Sequence, residues 1–194
     1  MTVVIRDMEA RDVAPMTDLH NREAVATTAS YHLVEASVTE RTAWWRELVA
    51  DGRPVLVAEV DGQAVGYACH HRFRDLPGYD PTGEVSIWLE PQWRGQGVGS
   101  ALMARLVDLA RRPTPAEGDR PARPPLHSLV AVIDSDNRAS LAFHAHHGFV
   151  ERGRLPQAAR KFGQWREVVI CQLLLDPPAG GPSDSVEGAS RVNP

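Results

Sequence analysis

The stretch Glu84-Val85-Ser86-Ile87-Trp88-Leu89-Glu90-Pro91-Gln92-Trp93-Arg94-Gly95-Gln96-Gly97-Val98-Gly99-Ser100 holds most of what this chain could use for chemistry. It reads as a strand headed by a carboxylate, a tight glycine turn and the start of a helix. Glycines at 95, 97 and 99 let the main chain curl until successive N–H groups point at one spot. The helix that follows adds its free N–H groups and positive dipole end. Such a cradle suits phosphate, with pyrophosphate its natural guest. Three readings compete for the bare pattern. A dinucleotide site wants a sixth-position glycine, where this chain has Ser100, and an acidic residue on the next strand. A nucleoside triphosphate loop needs Gly-Lys-Ser/Thr, and no lysine is there. The third is a strand-to-helix turn with no ligand at all.

The elements around this turn follow from periodicity and punctuation. Residues 3–6 alternate as a strand, and Asp12 is placed to cap a helix running toward Val25. A polar stretch, Thr27-Thr28-Ala29-Ser30-Tyr31, interrupts, and Thr39 opens a second helix carrying Trp44, Trp45, Leu48 and Val49. Residues 54–60 and 63–69 flank Asp61-Gly62, a hairpin signature. A loop over 72–83 leads to a strand at 85–89, and a helix is predicted at 98–111. Residues 112–125 contain five prolines and read as a mobile surface insertion. A strand at 126–133, a helix at 137–147 stopped by Gly148, and strands from Phe149 and over 167–175 complete the pattern. Residues 1–176 are expected to form one α/β domain, a mixed, mostly antiparallel sheet with helices on both faces. Residues 177–194, rich in Pro, Gly, Ser and Asp, are expected to be a disordered tail.

Composition narrows the setting. The chain has 194 residues, enough for a core without metal or disulfide staples, and a formal net charge of −4, which argues against general nucleic-acid or anionic-membrane binding. Cys69 and Cys171 lie in apolar runs and read as buried thiols. There is no secretory signal and no run long enough to span a bilayer, so a cytoplasmic location is expected.

Arg94-x-x-Gly97-x-Gly99, following a strand that ends in Leu89-x-Pro91, resembles the coenzyme A pyrophosphate motif of the GNAT family of N-acetyltransferases. Asn137-x-x-Ser140-Leu141-x-x-His144-x-x-x-Gly148-Phe149 is similar to that family's next helix, whose asparagine meets the pantetheine arm. Asn21-x-x-x-Val25-x-Thr27-Thr28-Ala29-x-Tyr31, Tyr79-x-x-Thr82-x-Glu84 and Lys161-Phe162-Gly163-x-Trp165 resemble the phosphinothricin and methionine sulfone/sulfoximine acetyltransferase branch. The likeness runs from about Ile5 to Leu175. Near Arg74, where the branch often carries a further aromatic or basic residue, this chain has Asp75 and Leu76.

The resemblance implies a GNAT-type sheet, acetyl-CoA as co-substrate, no metal, and a homodimer. An amine must lose a proton before it attacks a thioester, and the oxyanion that forms needs donors. Glu84 takes the general-base position of the family. His144 stands where many relatives place a tyrosine acid, and histidine titrates near neutrality. The main chain of Ile87, Trp88 and Leu89 would hold the thioester and pantetheine, and Arg94, Gly95, Gln96, Gly97, Val98, Gly99 and Ser100 the pyrophosphate, with Asn137 on the arm. Thr27, Thr28, Tyr31, Arg74, Asp75, Leu76, Tyr79, Val85, Ser86, Lys161 and Phe162 are the candidate acceptor-binding residues. Among them Arg74 is the expected carboxylate clamp, because a guanidinium grips a carboxylate bidentately. His144, His146 and His147 make no metal set, since only 144 and 147 share a helix face and no acid sits at i+4. His70 and His71 must point to opposite faces of a strand. Two other readings stand beside acetylation of a small amino acid. One is acetylation of a polyamine, an aminoglycoside or a protein N-terminus; the other is a non-catalytic coenzyme A sensor.

Overall fold

Period-two alternation sorts the strand side chains to two faces, and each face has found its own helices. The computed structural model describes residues 2–118 and 122–175. Met1, the middle of the proline-rich insertion and the expected disordered tail lie outside them. The strands are β1 (Val3–Asp7), β2 (Val55–Val60), β3 (Gln63–Arg72), β4 (Thr82–Leu89), β5 (Ser128–Asp134), β6 (Val150–Lys161) and β7 (Gln164–Leu174). They form one sheet in the order β1-β2-β3-β4-β5-β7-β6. Every neighbouring pair is antiparallel except β4–β5, which is parallel.

Helix α3 (Val98–Ala110) buries Val98, Leu102, Met103 and Leu106 against Leu56, Ala58, Ala68, Val85, Leu129 and Ala131. Leu141 and Phe143 of α4 (Arg138–His146) join this layer. On the opposite face α1 (Val13–His20) and α2 (Val38–Ala50) cover Val55, Val57, Tyr67 and Cys69 with Met16, Leu19 and Leu48. Cys69 and Cys171 are free, buried thiols in different layers. No helix of the described residues is long and apolar enough to cross a membrane.

The helix starts differ from the expected ones. Asp12 does not cap α1: it is buried, accepts from the Glu9 N–H at 2.8 Å and pairs with Arg6 at 2.6 Å. Ser37, not Thr39, caps α2, its hydroxyl accepting from the Glu40 N–H while the Glu40 carboxylate takes the Ser37 N–H, a reciprocal capping box. After α1 the chain widens into a π-turn, Asn21–Val25, before it leaves the helix. Asn21 then clips the following loop, donating to the Ala36 carbonyl at 2.9 Å and accepting from its N–H at 3.0 Å.

The proline-rich insertion is fastened where it is described. Arg123 bonds the Asp51 carboxylate at 2.6 Å, and Arg53 bonds it at 2.8 Å. Arg72 reaches the same carboxylate at 3.4 Å. Burial works to raise the Asp51 pKa, but hydrogen bonds from Arg123, Arg53 and Arg72 outweigh it and hold it at about 2. Arg53 is fully buried, so losing its counter-charge should cost about 3 kcal/mol. Asp51→Asn is therefore expected to destabilise the fold by that amount in urea unfolding near neutral pH. With a folded pKa below the ordinary 3.8, the contribution of Asp51 is present above that value and fades as pH falls toward 2. The gap between wild type and variant should close over that window; a gap that is absent at neutral pH would mean Arg53 needs no partner.

Candidate active site

Glu84 sits where the sheet divides. β4 and β5 pair only at Thr82–Ser128, Gly83–Leu129 and Glu84–Val130, whereas β4 stays paired with β3 through Leu89. Beyond Glu84 the two parallel strands part, and a cleft of roughly 2040 Å³ opens between them and the loop after α1. The β3–β4 register decides which amides face the opening. Glu90 donates to the Val65 carbonyl at 2.9 Å, so the alternate residues Trp88, Ser86 and Glu84 turn their main chain toward β3. Val85, Ile87 and Leu89 turn theirs toward the gap. Trp88 was expected to offer a main-chain donor with Ile87 and Leu89; its amide is committed to the sheet, and only its side chain lines the cleft.

At the far end of that open edge lies the glycine turn. Gly95 and Gly97 have φ of 73° and 82°, and a Cβ built on either meets nothing within 4 Å. They are needed for the backbone conformation, and the space beside them is open. Gly99 differs, because a Cβ there would meet the Phe143 ring of α4 at 3.4 Å rather than open space. The first intrahelical bond of α3 runs from Ala101 to Gly97, which leaves the N–H groups of Val98, Gly99 and Ser100 without a helical acceptor. The side chains of Gln96 and Val98 point elsewhere, Gln96 donating to the Gln92 carbonyl at 2.6 Å and Val98 entering the core. The Arg94 guanidinium bonds the Leu89 carbonyl at 3.1 Å and pairs with Glu23, tying the turn to the end of α1. Asn137 caps α4 by accepting from the Ser140 N–H at 3.1 Å, and its Nδ2 has no partner among the described residues.

A free strand edge, a splayed parallel pair and a left-handed glycine turn form a continuous slot for a long, amide-bearing, phosphorylated ligand. The Acetyltransferase (GNAT) domain model matches residues 2–150. The chain belongs to the GNAT acetyltransferase family. It is 33% identical over 183 residues to the L-methionine sulfoximine/L-methionine sulfone acetyltransferase of Pseudomonas aeruginosa, covering 94% of this chain and 100% of that one. It is 36% identical over 174 residues to phosphinothricin N-acetyltransferase of Alcaligenes faecalis, covering 89% and 81%. The structure of YncA from Salmonella typhimurium, solved with its cofactor acetyl-CoA, superposes with a TM-score of 0.83 at 32% identity, covering 93% of this chain and 98% of that one. This GNAT protein is therefore an N-acetyltransferase close to that branch, and the reading as a non-catalytic sensor falls away.

In the GNAT cleft Glu84, Ser86 and Trp88 share the face of Tyr67, Cys69 and His71. Burial pushes the Glu84 carboxyl above the usual carboxylate range, against the opposing charges of His71 and Arg74. His144 is buried on α4, and its Nδ1 lies 2.8 Å from the Ser140 carbonyl. A carbonyl can only accept, so Nδ1 carries the hydrogen and Nε2 is the basic nitrogen. Burial lowers the His144 pKa, while the bond to Ser140 opposes the change. The ring is thus mainly neutral at neutral pH, and an acid only after it has gained a proton.

Thr27, Thr28 and Tyr31 line the wall as expected, with Asp75, Val85 and Ser86. The Tyr31 hydroxyl is not free, since it donates to Asp134 at 3.0 Å beside the Asp134–Arg166 ion pair. Lys161 stands behind this wall rather than in it. It is buried, and its ammonium donates to the carbonyls of Ala24 at 2.7 Å and Ser30 at 2.6 Å, fixing the loop from the rear. Phe162 is at the exposed tip of the β6–β7 hairpin. Leu76 and Tyr79 also lie off the cleft, Tyr79 edge-on to Phe73 at 5.9 Å. Arg74 lies over the Phe73 ring at 4.1 Å and bonds its carbonyl, outside the lining, although its charge reaches Glu84. Among the described residues no three His, Cys, Asp or Glu side chains gather as a metal set. Of His70 and His71, which the sequence places on opposite strand faces, register sets His71 opposite Glu84; sequence reasoning missed Arg41, His20 and His32, which line the cleft from the α1–α2 side. Those three carry no sequence signal.

Proposed function

We propose that this enzyme transfers the acetyl group of acetyl-CoA to the α-amino group of a small amino acid of the phosphinothricin or methionine sulfone/sulfoximine type. The observation that carries the reading is the position of Glu84 at the fork of β4 and β5, beside the unpaired edge of β4 that runs on past it. The pyrophosphate would rest on the N–H groups at 97–100, the pantetheine along Val85, Ile87 and Leu89 with Asn137 Nδ2 across it. Glu84 would take the ammonium proton, directly or through water. The amine nitrogen then bonds to the carbonyl carbon, the C–S bond breaks, and sulfur leaves as a thiolate. A main-chain N–H of the open β4 edge would hold the oxyanion. His144 Nε2 would accept a proton and pass it to the sulfur. Arg74, whose charge already reaches Glu84 from outside the lining, would swing off Phe73 to meet the acceptor's α-carboxylate.

A polycationic acceptor is the alternative: Glu23, Asp51 and Asp134 line the cleft already paired with arginine, but Glu35, Glu47 and Asp75 line it outside any ion pair among the described residues. We further propose that the enzyme works as a homodimer, which the exposed Leu155, Phe162 and Trp165 on β6 and β7 support and light scattering would test. The acceptor reading is tested by thioester consumption with paired amines. L-Phosphinothricin and L-methionine sulfone are expected to turn over with kcat/KM about ten- to a hundredfold above that of their decarboxylated amines. Equal or better rates on polyamines would overturn it.

A further inference from the structure

Arg41 is a buried cation with no counter-charge. Its residue is 9% exposed, yet among the described residues no carboxylate lies within ion-pair distance of it. Its guanidinium makes one hydrogen bond there, to the Tyr67 hydroxyl at 3.0 Å, and lies 3.6 Å above the Trp44 ring. Among the described residues the remaining N–H groups have no acceptor, and none of them is shut off from solvent, so they open on the cleft that Arg41 lines with Tyr67, His20, His32 and Trp88. A guanidinium largely withdrawn from water gains from an anion brought to its open N–H groups. The neighbours do not supply it. Tyr67 accepts from Arg41, so its own hydrogen turns to His20 Nδ1 at 3.1 Å. His20 stacks edge-on to Trp88 at 5.7 Å and lies 5.1 Å from the His32 ring. Burial first, and then the Arg41 charge, push both histidines down, His20 to about 4, so neither carries a competing positive charge at neutral pH.

We propose that Arg41, held by Tyr67 and Trp44, is an oxyanion subsite of the acceptor pocket that takes the acidic, oxygen-bearing end of the acceptor side chain. The inference rests on the amino-acid reading above and narrows it. Tyr67 is paired with Trp88 and His71 with Glu84, on one face of the sheet, so the subsite lies along the cleft from the base. Cys69, paired with Ser86 midway between them, also feels the Arg41 charge. An amino acid could thus place its α-amino group at Glu84 and its side-chain oxygens at Arg41. The acceptor class this selects is amino acids ending in phosphinate, carboxylate or sulfone oxygens rather than hydrocarbon. Arg41 would be a specificity determinant, with no part in proton transfer.

The test compares kcat/KM for L-phosphinothricin and L-norleucine, which differ in the polarity of the tail, in wild type, Arg41→Met, Arg41→Lys and Arg74→Ala. The phosphinothricin/norleucine ratio is expected to fall about ten- to a hundredfold in Arg41→Met, mostly through KM, and less in Arg41→Lys. In Arg74→Ala both substrates should lose equally, because both carry the α-carboxylate. An unchanged ratio in a folded Arg41→Met, or in a folded Arg41→Gln if the methionine variant does not fold, would reduce Arg41 to a structural cation and leave the proposed function standing. Wild type that acetylates neither amino acid would overturn the proposed function and the subsite with it.

Discussion

Replacing Glu84 by glutamine is expected to lower turnover by about 10²-fold or more while acetyl-CoA affinity stays unchanged. Glutamine keeps the shape of the side chain at the strand fork but cannot accept the ammonium proton. The pH profile gives a second readout. Burial raises the Glu84 pKa above the usual carboxylate value, so a base at this position loses activity as pH falls through a limb placed higher than an exposed glutamate would give. That limb should vanish in Glu84→Gln; if it persists, the titrating base is His144. Stability supplies a control of opposite sign. A carboxyl whose folded pKa is raised contributes most when protonated, and that contribution is lost as pH rises. Removing the charge should therefore leave Tm at neutral pH unchanged or slightly higher. A near-normal rate from pH 6 to 9 would make Glu84 a bystander.

Gly97→Val is expected to raise the KM for acetyl-CoA by about 10²-fold, the loss of one or two charge-assisted hydrogen bonds. Two effects act together. Gly97 has φ of 82°, where a β-branched side chain is strained, so the turn would have to rearrange. Its Cβ would also project into open space, where no protein atom lies within 4 Å and where the pyrophosphate is expected to rest. Because that space is empty of protein, the damage should fall on ligand binding more than on packing. Gly99→Ala offers the contrast, since its Cβ would only touch the Phe143 ring at 3.4 Å and no left-handed φ is required there, so acetyl-CoA affinity should change far less than in Gly97→Val. Unchanged acetyl-CoA affinity in a folded Gly97→Val would remove the phosphate-cradle argument.

Much of this was legible from residue order alone. The glycine turn, the extent of α3 and the β2–β3 hairpin over Asp61-Gly62 follow from φ preferences and periodicities set within a few residues. Helix starts were less legible, because Ser37, Thr39 and Thr42 are all plausible caps and only the Ser37–Glu40 exchange closes. β6 was legible only at its start, where a strand was expected from Phe149; residues 150–160 are almost wholly exposed and include Pro156 and several arginines, so no alternating pattern marks how far it runs. They are extended because β7 pairs with them.

The sequence by itself determined the strand that carries Glu84, its glycine turn and the helix α3 that follows. Those features rest on contacts between near neighbours and on motif order. Tertiary structure alone decided which amides face the gap, since one step of strand register exchanges Trp88 for Leu89. It decided too that Lys161 braces the acceptor wall from behind by capping two carbonyls more than a hundred residues away. And it left Arg41 in the cleft without a carboxylate partner among the described residues. Whether a charge finds a partner depends on which distant segments the fold brings beside it, and no local pattern in the chain records that.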